Sequence, residues 1–167
     1  MADHHHVRCA PPPSAPPRVR IRAAEPDDGD AVARLLADLA QARSDVRHAH
    51  TPPLAAALRA HLDGGRAIVA DAGAHLVGIV AWRPAGPARA AAALAVADGW
   101  RQGDVGARLL ARLGDEAARD GVAVLVAEVT PVNAALRAAA RALGLPERRT
   151  GTRVEILLGA TVDPARP

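Results

Sequence analysis

A short apolar strand that turns directly into a long amphipathic helix constrains this chain more than any other feature. Residues 93–97 are continuously apolar, three glycines lie within the next nine residues, and Val105, Leu109 and Leu113 then recur every four residues. This spacing predicts an amphipathic helix over about residues 104–120. The first turn of such a helix has N–H groups without backbone partners and carries partial positive charge. The sequence therefore predicts a phosphate site at the glycine-containing turn.

Length and composition limit the classes of fold and function. The 167 residues suit one compact domain, and half of them are hydrophobic, which is enough to form a sizeable core. No apolar run reaches the roughly 18 residues that a membrane span requires, and the first residues do not resemble a signal peptide. The single cysteine, Cys9, has no partner within the chain, so we expect a reducing, cytoplasmic location.

The residue types that are absent exclude several kinds of chemistry. The chain has neither Lys nor Tyr, so no lysine nucleophile, P-loop lysine or tyrosine acid is available. It has no cysteine pair and no His-Glu-x-x-His motif, and we predict no metal site. The net charge is +3, but the arginines are scattered and Trp82 and Trp100 are the only aromatic residues. Nucleic acid is therefore not an expected partner.

The remaining sequence alternates between strand and helix patterns. We predict strands at 19–22, 66–71, 75–82, 122–129, about 146–149 and 153–158, a loop at 84–92, and helices at about 27–39, 53–62 and 133–143. This order predicts an α/β fold with a mixed central sheet flanked by about four helices, in one domain over residues 18–160. Residues 1–17, with five prolines, are predicted to be a disordered tail, and 161–167 a C-terminal tail.

Three pieces of this pattern resemble the GNAT family, the Gcn5-related N-acetyltransferases. Residues 19–28 are similar to the family's opening strand and helix. The segment Arg101-Gln-Gly-Asp-Val-Gly-Ala107 matches most of the signature Arg/Gln-x-x-Gly-x-Gly/Ala. Asn133, followed by Gly144-Leu145, is similar to the family's Asn…Gly-Phe helix. The resemblance covers about residues 18–158 and implies a GNAT-like fold.

The resemblance also implies that acetyl-CoA is the co-substrate. Its pantetheine arm would pair with the strand backbone like an added strand, and its diphosphate would bind the N–H groups of the turn. Asn133 would approach the pantetheine arm or a bridging water. The cofactor-binding residues implied are Leu94, Val96, Arg101, Gln102, Gly103, Asp104, Val105, Gly106, Ala107 and Asn133.

The implied reaction is direct attack of an amine, on a small molecule or a protein, on the thioester of acetyl-CoA. A base must first deprotonate the ammonium group, and the candidates are Glu128 and Asp98. Glu128 could instead be a solvent-facing strand residue, and Asp98 a turn residue. GNAT relatives often dimerise, so a homodimer is possible.

Two departures from the family pattern support an alternative function. Asp104 replaces the first signature glycine, and Ala140 stands where the family often has the tyrosine that protonates the leaving thiolate. The Asp104 carboxylate would either face the diphosphate and weaken its binding, or turn away and cap the helix. The alternative is a degenerate, non-catalytic GNAT domain that binds CoA weakly or serves as an interaction module.

Overall fold

The computed structural model describes residues 18–44, 65–73, 75–101, 103–128 and 134–159, with side chains described up to residue 39 in the first helix. Both predicted tails and the predicted helix at 53–62 lie outside these residues. The elements are β1 (Arg20–Ala23), α1 (Gly29–Ser44), β2 (Arg66–Asp71), β3 (Leu76–Pro84), β4 (Arg89–Val96), α2 (Val105–Arg119), β5 (Val124–Glu128), α3 (Ala134–Ala142), β6 (Glu147–Thr150) and β7 (Arg153–Leu157). Single 3-10 turns precede α1 (Pro26–Asp28) and follow β4 (Asp98–Trp100).

The seven strands form one sheet in the order β1-β2-β3-β4-β5-β7-β6. Every neighbouring pair is antiparallel except β4 and β5, which are parallel. The predicted α/β class with a mixed central sheet is therefore confirmed. Among the described residues, three helices flank the sheet.

Among the described residues, one helix packs on one face of the sheet and two helices pack on the other. On one face, which we call the α1 face, Val32, Leu35 and Leu36 of α1 form a buried cluster with side chains of β2, β3 and β4. On the other, the α2–α3 face, Leu109 and Leu136 belong to a larger cluster that reaches from β2 to β7. The recurrence of apolar residues every four positions in α2 explains its position, because it places the helix's apolar stripe on the sheet.

The predicted loop at 84–92 is wrong. The structure extends β3 to Pro84 and begins β4 at Arg89, so that only Ala85–Ala88 remain as the turn. Gly86 supports this turn with a φ of 125°. Alanine has a low strand propensity, but Ala90 and Ala92 are almost completely buried between their neighbouring strands. Burial and pairing in the sheet therefore override the local preference.

An ion pair fastens the start of α1 to the edge of the sheet. The Arg22 guanidinium donates to both carboxylate oxygens of Asp28, at 2.6 and 2.8 Å, and lies 3.5 Å from Asp71. The same Asp28 carboxylate accepts the N–H of Glu25 at 2.7 Å. Hydrogen bonds from Arg22 lower the pKa of Asp28 from 3.8 to about 2 and raise the pKa of Arg22. The paired charges are thus favoured in the folded state.

Candidate active site

Strands β4 and β5 separate part-way along their length. Arg89–Ala91 of β4 pair with Val124–Val126 of β5, but no later residue of β4 pairs with a described residue of β5. On its other side, β4 stays paired with β3 as far as Val96. The backbone of Ala92–Val96, which includes the predicted Leu94 and Val96, therefore borders an opening in the sheet. An extended group can hydrogen-bond to such an edge as an added strand would.

Helix α2 begins at the open end of this gap. Gly103 N–H donates to the Trp100 carbonyl (3.3 Å), and Arg108 N–H donates to the Asp104 carbonyl (2.9 Å). The N–H groups of residues 105–107, between these two, donate to no described residue. They are the first N–H groups of the helix, where its dipole is positive. Three N–H donors that no described residue accepts therefore lie next to β4, where the sequence predicts an anion site.

Close packing holds these donors against β4. A Cβ atom added to Gly106 would lie 3.7 Å from Ala139 Cβ, 3.8 Å from Val96 Cγ2 and 3.9 Å from Leu94 Cδ2. The first turn of α2 is therefore lodged between the end of β4 and α3. Trp100 packs against the larger core cluster.

The Asp104 side chain does not cap α2. Asp104 occupies the N-cap position, but its side chain makes no capping hydrogen bond. The carboxylate is 74% exposed and lies 3.9 Å from the Arg108 guanidinium. Of the two alternatives, capping is therefore wrong, and the carboxylate is directed toward solvent and Arg108. The backbone donors of α2 are left without this internal acceptor.

Asp98 is held in the turn by Arg101. Arg101 Nε lies 2.7 Å from Asp98 Oδ1 and also donates to the Val96 carbonyl at 3.3 Å. The pair joins the end of β4 to the turn that leads into α2. Asp98 is thus engaged as a turn residue, and its carboxylate is already paired with a cation.

Glu128 is the last residue of β5 and is exposed. Its neighbours Leu125 and Ala127 are buried in the α2–α3 cluster, so the alternation of a strand places Glu128 on the α1 face. It lies two residues beyond Val126, the last β5 residue that pairs with β4. The Glu128 side chain therefore stands on the wall of the gap opposite Ala92–Val96.

Gln102 and Asn133, two of the predicted cofactor-binding residues, lie outside the described residues. Ala140, at the position of the family's tyrosine, is completely buried in the main core. The small side chain at this position packs in the core between α3 and the sheet.

Sequence reasoning missed one residue that positions the site. Gly78 of β3 lies beneath α2, and a Cβ atom there would come within 2.9 Å of Leu109 Cδ1, 3.3 Å of the Ala95 carbonyl oxygen and 3.4 Å of Val105 Cγ1. The absence of a side chain lets the first turns of α2 approach the sheet closely. The signal in the sequence was an isolated glycine inside an apolar strand, which often marks such an approach.

Among the described residues, no helix has the length and apolar character needed to cross a bilayer. Within the same part of the chain, no group of three or more His, Cys, Asp or Glu side chains is arranged to hold a metal ion.

The fold is similar to several solved acetyltransferases. A GNAT family acetyltransferase from Staphylococcus aureus Mu50 has a TM-score of 0.64 at 13% identity, covering 84% of this chain and 99% of that one. A putative acetyltransferase of Salmonella typhimurium, yncA, solved with its cofactor acetyl-CoA, has a TM-score of 0.61 at 20% identity, covering 89% and 99%. A ribosomal-protein-alanine N-acetyltransferase from Brucella melitensis has a TM-score of 0.57 at 26% identity, covering 83% and 96%.

Sequence comparison identifies the family. No curated protein matches the chain in a sequence search. The family model described as "Acetyltransferase (GNAT) family" matches residues 32–145, which include β4, the turn and α2. The chain therefore belongs to the acetyltransferase (GNAT) family.

Proposed function

We propose that this protein is an N-acetyltransferase that moves the acetyl group of acetyl-CoA to an amine. The observation that carries the proposal is the gap between β4 and β5, which opens beside the N–H groups of residues 105–107, none of which donates to a described residue. The gap suits an extended amide-containing arm, and the donors suit a diphosphate. Acetyl-CoA has both groups in one molecule. The acetyl-CoA present in the Salmonella typhimurium structure supports this choice of co-substrate.

In the proposed reaction, the amine nitrogen attacks the carbonyl carbon of the thioester. The amine must be neutral, because a protonated nitrogen has no free electron pair. We assign deprotonation to Glu128, on the wall of the gap, and keep Asp98, whose carboxylate lies 2.7 Å from Arg101 Nε, as the alternative base. Backbone N–H groups of β4 would stabilise the oxyanion that forms. The carbon–sulfur bond then breaks, the attacking nitrogen loses its second proton to water, and the CoA thiolate leaves and takes up a proton from water.

The acceptor is an amine of a small molecule or a protein. The Brucella melitensis enzyme is named for a ribosomal protein alanine, which makes a protein amino group one candidate class. We further propose one domain over residues 18–160, a cytoplasmic location and a homodimer as the assembly to be tested.

Calorimetric titration with acetyl-CoA tests the cofactor site. Ala107→Glu would place a carboxylate beside the proposed diphosphate, and Ala111→Glu would place the same charge one turn later on the same side of α2. Glutamate is favoured in the first turn of a helix, so the first variant should fold. We expect Ala107→Glu to weaken binding about tenfold or more and Ala111→Glu to change it little. Equal binding by both variants and the wild type would place the cofactor elsewhere.

Thiol release in the presence of a panel of amines tests turnover. The assay must allow for Cys9, since the chain's own thiol also reacts with a disulfide reagent. Release that depends on both the amine and acetyl-CoA is expected.

The second candidate is a non-catalytic GNAT domain. The exposed Asp104 carboxylate beside the anion site and the buried Ala140 are the observations that favour it. Absence of acetyl-CoA binding at millimolar concentration, or binding without transfer to any amine, would favour this candidate over the enzyme.

A further inference from the structure

Two arginines on the α1 face have no anionic partner among the described residues. Arg153 begins β7 and Arg148 lies on β6, and both are exposed. Neither guanidinium forms an ion pair or side-chain hydrogen bond with another described residue. Glu155, which lies opposite Arg148, is instead paired with Arg89 at 2.8 Å. Among the described residues, this corner of the sheet therefore presents two exposed guanidinium groups that take part in no ion pair.

The sheet register places this charge next to the proposed base. Arg153 of β7 is directly opposite Glu128 of β5 in the antiparallel ladder. Residues in such positions have Cβ atoms about 4.5–5.5 Å apart on the same face of the sheet. Arg148 is at the next position of that face on β6, opposite Glu155. A carboxylate and a guanidinium thus stand side by side at the end of the gap.

We propose that Arg153 binds a carboxylate of the acceptor, so that the acceptor is a small amino acid rather than a simple amine. This inference rests on the proposed function. The Glu128 carboxylate receives the ammonium group, and the neighbouring Arg153 guanidinium receives an anionic group a few bonds away. Guanidinium and carboxylate form paired, charge-assisted hydrogen bonds, which give specificity as well as affinity. Arg148 extends the positive surface and favours acceptors with a second carboxylate.

A direct binding measurement tests the proposal independently of turnover. The probes are L-alanine, L-glutamate and L-alaninamide, titrated into the protein saturated with CoA and followed by NMR. We expect the amino acids to bind more tightly than the amide, with L-glutamate tightest. Replacement of Arg153 by Gln should weaken amino acid binding about tenfold or more, which is the value of a charge-assisted hydrogen bond, and leave amide binding unchanged.

Arg149→Gln is the matched control. Arg149 is on the same strand as Arg148 but on the opposite face of the sheet, and its Nε donates to the Gly151 carbonyl at 3.2 Å. This variant removes the same charge from the same hairpin without altering the proposed subsite. We expect its binding of amino acids to match the wild type. Melting temperatures of both variants check that the hairpin remains folded.

Acetyl transfer to the same probes separates this proposal from the proposed function. Reactivity alone favours the amide, because its ammonium group loses a proton more readily than that of the amino acid. A higher kcat/KM for the amino acid, lost in Arg153→Gln, would therefore support carboxylate recognition. Transfer without preference, or equal binding of amide and amino acid, would overturn the Arg153 proposal while retaining the enzyme. Carboxylate-dependent binding without transfer would refute the enzyme and retain the subsite.

Discussion

Replacing Gly78 by Ala should weaken both the fold and the cofactor site, because α2 rests on this position. The new Cβ would be 2.9 Å from Leu109 Cδ1, whereas ordinary contacts between carbon atoms are about 3.5–4.0 Å. Leu109 is completely buried and Val105 is nearly so, which leaves little room for either side chain to move away. The first turns of α2 must therefore shift outward by roughly 0.5–1 Å, judged from that deficit.

The expected cost follows from overpacking in a closely packed core. Inserting one methyl group in such a place lowers the free energy of unfolding by about 1–3 kcal/mol. In a domain of this size, each kcal/mol corresponds to about 2–4 °C in melting temperature. The shift also moves the N–H groups of residues 105–107 away from β4, so we expect weaker acetyl-CoA binding. Urea unfolding and calorimetric titration measure the two effects separately.

Gly114→Ala is a control on the same helix, and we expect it to raise the free energy of unfolding where Gly78→Ala lowers it. A Cβ atom at Gly114 would meet only Leu158 Cδ2, at 3.9 Å, which is an ordinary contact. Alanine favours a helix interior over glycine by about 1 kcal/mol, so this variant should be more stable than the wild type and bind acetyl-CoA normally. If Gly78→Ala were as stable as the wild type, the proposed seating of α2 on the sheet would be refuted.

Three further predictions concern the ion pair, the anion site and the base. Asp28→Asn should lower the free energy of unfolding at neutral pH by about 1 kcal/mol, allowing for solvent screening. The pKa of Asp28 falls from 3.8 to about 2 on folding, while Arg22 stays protonated throughout. The difference in unfolding free energy between the variant and the wild type should therefore persist above pH 4 and vanish as the pH falls toward 2. A difference that stays constant when stability is measured across this pH range would contradict the reasoning. Asp104→Gly should tighten acetyl-CoA binding a fewfold, most clearly at low salt, because it removes a negative charge beside the proposed diphosphate position. Unchanged affinity in calorimetry would show that the Asp104 carboxylate is too far from the diphosphate to affect it. Glu128→Gln should reduce kcat by about 100-fold or more with acetyl-CoA binding unchanged, and Asp98→Asn should have a much smaller effect; the reverse order in steady-state kinetics would make Asp98 the base.

The sequence predicted most of the architecture because its strong signals are local. Apolar residues every four positions predicted α2, and alternation or continuous apolar runs predicted the strands around it. Free N–H groups at the start of α2 were also predictable, since they are a property of any helix start that has no internal cap. The segment 84–92 was not predictable in this way. Its alanines, glycine and prolines favour a loop, and only backbone pairing with β3 and β5 makes part of it a strand.

Residue patterns along the chain were enough to predict the family resemblance, the order of elements and the residue types available for chemistry. Three features of the site are visible only in the folded protein: β4 and β5 separate after Ala91, Asp104 leaves the helix start uncapped, and Arg153 lies opposite Glu128. Each of these depends on the register between strands distant in the chain or on the direction of one side chain. Strand register arises from packing of the whole sheet, so local patterns of residues do not contain it.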